Sequence, residues 1–354
     1  MPSIFARSPY LINVSETGQQ GSKIELFFSA TSVFPASPNV TLSKLVSSST
    51  NNTTIYDVSN YCREYFNFIS NTNVTIITAT PTGQYYNLRI KRYKLVNGVY
   101  SLTSTNSQID YKIFDGYGYF ENNANYDLGI FHLDQQTYYY DPTKYAGKIR
   151  INSPSSVYKA RYININTNST IQTSNMGQAG VRDVPRVIGP LQTIGAKVEI
   201  LNTSNSVIAT YFFRPISECK YTTVEIDFVN KYGAWQKEFF FKASNNTLSV
   251  ENAEYNLLNT LTTVSNVTSY NLLEGQKKIF NANGKKSIKV NTGWVYENWN
   301  ETLRQIMLSE VILIDSSPAK INTKSTELFK HINTKQINYT LEFEFAFDVI
   351  NSII

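Results

Sequence analysis

A chain of 354 residues with 32 Lys and Arg against 27 Asp and Glu has a formal net charge of only +5, and its basic residues are scattered. That excludes the basic arm or stripe of a nucleic-acid binder. The 42% apolar share is ample for packed cores, while no run reaches membrane-spanning length and two cysteines, Cys62 and Cys219, exclude a disulfide framework. Aromatics reach 14%, with 25 Tyr and 20 Phe, the bias of a mainly β protein. At this length about two domains are expected. The first residues lack the basic and apolar segments of a signal peptide, and the cysteines are expected as small buried thiols.

From residue 7 to about 125, short alternating stretches between polar turns predict strands over 23–28, 40–46, 53–56, 74–78, 85–93 and 111–114. Such spacing suggests a β-sandwich. Asn97-Gly98 suits a type I′ hairpin turn, because both residues accept positive φ. Val58, Cys62, Tyr65 and Phe66 at helical spacing predict a short connecting helix. The resulting amino-terminal domain covers 1–140. Its end, 135–142, reads as a linker or exposed aromatic segment in which Tyr138, Tyr139 and Tyr140 are candidates for stacking on a sugar.

A larger β-rich domain with one or two short helices is expected over 141–354, with a possible subdivision near 216. Strands are predicted over 148–151, 157–165, 196–201 and 207–213, with a loop over 175–186. A hairpin over 221–242 follows. Val224, Ile226 and Phe228 share one face, Thr223, Glu225 and Asp227 the other, and Gly233 marks the reversal. Phe239, Phe240 and Phe241 run without a polar break, as in a strand covered on both faces or lying at an assembly interface. With Tyr232 and Trp235 of the turn they are candidate interface residues. Helical turns are predicted over 251–261 and a turn over 281–285. Asn298 with Glu301 starts a helix whose apolar stripe is Trp299, Leu303, Ile306 and Met307. A buried strand over 311–314 follows. The strictest alternation is Ile337, Tyr339, Leu341, Phe343, Phe345 and Phe347. Such a strand adds to a sheet of its own subunit or of a neighbour, which makes Phe343 and Phe345 candidate interface residues.

No reaction is visible. His132 and His331 have no companion spacing for a metal. The segment beginning Gly284-Lys285 lacks the earlier glycine of a phosphate loop, where Ile279 stands. Glu342 and Glu344 share a face better read as solvated than as a catalytic pair, and Asp115 and Asp127 match no calcium loop. No catalytic, cofactor or metal residues are expected, and the chain is not read as an enzyme.

Three segments carry a resemblance: Phe228-Val-Asn-Lys-Tyr-Gly-Ala-Trp-Gln236; Asn291-Thr-Gly-Trp294 with Asn298-Trp-Asn-Glu-Thr-Leu303; and the closing Ile337-Asn-Tyr-Thr-Leu-Glu-Phe-Glu-Phe-Ala-Phe347. Together they resemble virion structural proteins of tailed bacteriophages of Bacteroidetes-type hosts, the crAss-like phages among them. The opening Ser8-Pro-Tyr-Leu-Ile-Asn13 with the strand at 23–28 resembles the immunoglobulin-like first domain of such proteins. The resemblance implies a component of the neck, tail or baseplate, assembled in the bacterial cytoplasm as a homo-oligomeric ring with other phage proteins and without a membrane. The alternative expectation is an adhesin-like module that binds host-surface glycans through the three tyrosines, Trp294 or Trp299.

Overall fold

The structure is a computed structural model, and it describes residues 2–47, 52–66, 71–127, 129–328 and 337–350. His331 lies outside the described residues. The chain is mainly β, with strands numbered β1 to β25 along it and two α-helices among the described residues, α1 (Ser59–Arg63) and α2 (Trp299–Leu308).

The amino-terminal part holds a six-stranded sheet in the order β1 (Ser3–Phe5), β9 (Gln108–Phe114), β7 (Tyr86–Val96), β3 (Gly21–Ser29) and β4 (Val40–Leu45), with β8 (Val99–Leu102) paired to β7. A second pair, β2 (Leu11–Ser15) and β5 (Thr53–Asp57), shares a core with this sheet through Ile12, Tyr56, Leu26 and Ile90. Asn97 and Gly98 both take positive φ in the β7–β8 turn, as expected of that dipeptide. Of the strand predicted over 74–78, only β6 (Thr78–Ala79) forms.

The middle part contains a five-stranded sheet, β10 (Thr137–Tyr140), β16 (Val207–Pro215), β15 (Ala196–Leu201), β12 (Lys159–Asn164) and β13 (Thr170–Asn175). Facing it is a three-stranded sheet, β11 (Lys148–Ser153), β14 (Gly180–Pro185) and β6. Their common core contains Tyr138, Tyr140, Ile149, Tyr162, Val198 and Phe213. β14 replaces the loop expected over 175–186. Its apolar content is low because Asp183 points inward, fully buried, where Lys148 Nζ at 3.0 Å and Arg150 Nε at 3.1 Å neutralise it. A strand stabilised by buried ion pairs leaves no apolar alternation to read.

The carboxy-terminal sheet has seven strands in the order β18 (Trp235–Phe240), β17 (Val224–Val229), β23 (Ile312–Ile314), β24 (Ser317–Ile321), β25 (Ile337–Asp348), β22 (Lys277–Val295) and β19 (Asn245–Asn256). α2 packs Trp299, Leu303 and Ile306 on this sheet, as its stripe requires. Asn298 stands at the N-cap but makes no side-chain capping bond, and Glu301 instead accepts from Tyr119 Oη at 2.8 Å and Lys231 Nζ at 3.0 Å. The helical turns expected over 251–261 are strand and loop, because β19 pairs with β22 from Asn245 to Asn256, its whole length. The turn expected over 281–285 is continuous strand. Gly284 lies within it, paired in register with Val250. Cys62 is buried as expected, whereas Cys219 is exposed.

Candidate functional site

The hairpin over 221–242 forms β17 and β18, and its aromatic residues are placed inside the chain. β18 is covered on both faces. Phe240 enters the core under α2, and Phe239 and Phe241 enter the middle core. Tyr232 stacks on His132 at 5.5 Å, and its hydroxyl bonds Asp134. Trp235 is 5% exposed. Gly233, at φ +70°, lies against Asp115, where a Cβ would be 2.7 Å from its backbone nitrogen. Phe343 is fully buried and Phe345 is half-buried against the same core as Phe240. The expected interface role of Phe239, Phe240, Phe241, Tyr232, Trp235 and Phe343 is therefore corrected. Their apolar area is covered by this chain's own sheets and is not presented to a neighbour.

The tyrosine platform is corrected in the same way. In β10, Tyr138 and Tyr140 are core residues, and Tyr140 Oη donates to the Gln192 carbonyl at 2.8 Å. Only Tyr139 is half-buried, paired in register with Arg214.

An aromatic groove does exist where β10 and β18 meet the end of β22, with a volume of about 760 Å³. A β-bulge builds its wall. Gly293 takes φ +71°, its N–H donates to Asn291 Oδ1 at 2.8 Å, and the register with β25 shifts between Asn291 and Trp294. Bulges re-aim side chains; here Val290 is buried while Trp294 is 67% exposed. Tyr296, 51% exposed, and Tyr139 continue the aromatic lining. Burial and the neighbouring Tyr296 raise the Tyr139 hydroxyl above its ordinary pKa, with Arg214 opposing. Glu238 forms part of the floor, accepts from Gln236 Nε2 at 2.8 Å, and is held above the usual carboxylate range by burial, against Arg186. Lys242 pairs with Glu218 at 2.9 Å. Arg214 has no ion-pair partner among the described residues. Nothing in the alternation of β22 announces this wall; Gly293 after Thr292 is the signal from which a bulge could have been read.

The second feature is an arm. β19 and the first half of β22 leave the sheet as a two-stranded ribbon, extended by β20 (Leu261–Val264) and β21 (Val267–Tyr270). Every residue of β19, β20 and β21 is exposed. Leu248, Val250, Leu258, Val264, Val267 and Leu273 are all more than half exposed, Leu258 at 93% and Leu273 at 95%.

The opposite face of the β17–β18 hairpin is polar and closed by charge. Lys237 Nζ lies 2.9 Å from Asp227 and also bonds Glu225, and Lys144 reaches Glu225 at 3.1 Å. Glu342 and Glu344 make contacts within the sheet: Asn322 Nδ2 donates to Glu342 at 3.1 Å, and Lys320 pairs with Glu344 at 2.8 Å. No helix among the described residues is long and apolar enough to cross a membrane. No protein-family model matches the chain, and no curated protein matches it.

Proposed function

We propose that the chain is a structural subunit of a tailed-bacteriophage particle, in its neck, tail or baseplate, and that it assembles into a symmetric ring through protein–protein interfaces. The projecting arm is the observation that supports this reading. A ribbon with Leu and Val side chains exposed along its length leaves apolar area in water that a soluble monomer ordinarily covers. A contact between different patches on successive copies closes a ring when its rotation divides a full turn. The immunoglobulin-like character of the amino-terminal domain belongs to the same reading.

Mass spectrometry of purified virions, with electron microscopy of particles carrying a tag on this chain, tests the proposal. Stoichiometric copies in a ring are expected. Absence of the chain from intact particles would sink it.

A further inference from the structure

We infer that the arm tip of one copy docks in the aromatic groove of the next copy, so that this single heterologous contact propagates the ring. The inference rests on the assembly reading above and names the surfaces that make the contact.

The tip, residues 255–273, contains no charged side chain. Its β20–β21 ribbon pairs Leu261 with Tyr270 and Val264 with Val267. In a strand, residues an odd number apart point to opposite faces, so the two apolar pairs lie on opposite sides of the ribbon. A ribbon that is apolar on both sides is not desolvated by lying on a flat surface. It needs a groove that encloses it, and the described surface offers one with exposed apolar walls, at Trp294, Tyr296 and Tyr139.

The tip cannot fill the groove of its own chain. Both are attached to β22, the tip beyond Lys277 and the groove at Trp294, and an extended strand at about 3.3 Å per residue separates them by about 56 Å of strand. The occupant must be a second copy. Charge agrees with this pairing. Glu254 and Glu274 border the uncharged tip, with Lys277 and Lys278 beyond Glu274, and Arg214 is the groove cation without an ion-pair partner among the described residues.

The test is a photo-crosslinking amino acid at Val267 in the full chain, with isotopically light and heavy chains mixed before irradiation. Light–heavy products joined to residues 137–139, 214 or 292–298 are expected. Products within one chain or mapping elsewhere on a neighbour overturn the inference, as does a chain that sediments as a monomer and gives no inter-chain product. Trp294→Ala and V267D change exposed residues and leave the melting temperature within a few degrees. Each is expected to weaken self-association at least tenfold, with the double variant no worse than either alone, because both remove the same contact. Arg214→Glu is expected to weaken association likewise and Glu274→Arg in the same chain to restore it. Trp294-dependent binding of the monomeric chain to a glycan array would overturn the inference and assign the groove to sugar. Presence of the chain in virions together with crosslinks elsewhere removes this inference alone and leaves the proposed function standing.

Discussion

His132 illustrates how far a side chain's role depends on what covers it. It is buried between Phe114, edge-on at 4.9 Å, and Tyr232, and neither ring nitrogen has a hydrogen-bond partner among the described residues. Burial, with the nearby charge of Arg150, lowers its pKa from 6.5 to about 3, against the pull of Asp183. The folded pKa lies below the unfolded one, so the unfolded chain takes up the proton first as pH falls. Stability is therefore intact above about 6.5 and lost from there toward about 3, at up to about 1.4 kcal/mol per pH unit. Urea titrations at pH 7 and pH 4.5 are expected to show a smaller acid loss for His132→Phe than for the parent chain. Asp183 behaves as the anchor of its cluster. Burial alone would raise its carboxyl, but Arg150 and Lys148 hold it down to about 2. Asp183→Ala leaves two cations buried without a counter-charge and is expected to cost about 3–5 kcal/mol, measured by chemical unfolding. Phe240→Ala separates a core role from an interface role. It is expected to lower stability by about 3–5 kcal/mol, whereas loss of self-association by a chain of unchanged stability would show that Phe240 acts at a contact.

At the scale of elements, the arm and the core strands obey the same local rule with opposite outcomes. β25 alternates strictly, and its inward row from Ile337 to Phe343 is buried under α2. β19 and the first half of β22 alternate less and are left in water, whereas Ile288 and Val290 of the second half are core residues. The arm contributes nothing to the core, so replacing residues 251–283 with an Asn-Gly turn between Val250 and Gly284, a paired position of the ladder, is expected to leave the melting temperature within a few degrees. Differential scanning fluorimetry checks stability, and sedimentation checks the expected loss of assembly. The helix α2 was legible in the stripe of Trp299, Leu303 and Ile306, because three or four residues per turn is a local property. β14 was not, because the partners of Asp183 lie on β11, some thirty residues away along the chain. The groove was half legible. Tyr139 and Trp294 stood out as aromatics, but only the Gly293 bulge turns Trp294 outward.

For the whole molecule, the β17–β18 turn is the place where the three parts meet. Lys231 bridges Asp134 at 2.8 Å and Glu301 at 3.0 Å, and its carbonyl accepts from Tyr117 N at 2.7 Å. The Gly233 carbonyl accepts from Arg150 Nη1 at 3.1 Å. Gly116 has no room for a side chain, since a Cβ would lie 2.4 Å from Phe5 Cδ1 and 2.5 Å from the Lys231 carbonyl oxygen. Gly116→Ala is expected to prise the amino-terminal sheet from this turn, cost about 1–3 kcal/mol, and split one calorimetric transition into two. The alternation of side chains, the turn residues and the apolar stripe of α2 were enough to determine a mainly β chain with most of its strands in place, because side-chain direction in a strand or helix is decided by neighbours in sequence. Whether an apolar row ends inside the chain or on its surface was decided only by the tertiary structure. Burial belongs to two surfaces that meet, and a sequence lists each surface without its partner: Phe239, Phe240 and Phe241 found theirs within the chain, while Val264, Val267 and Trp294 did not.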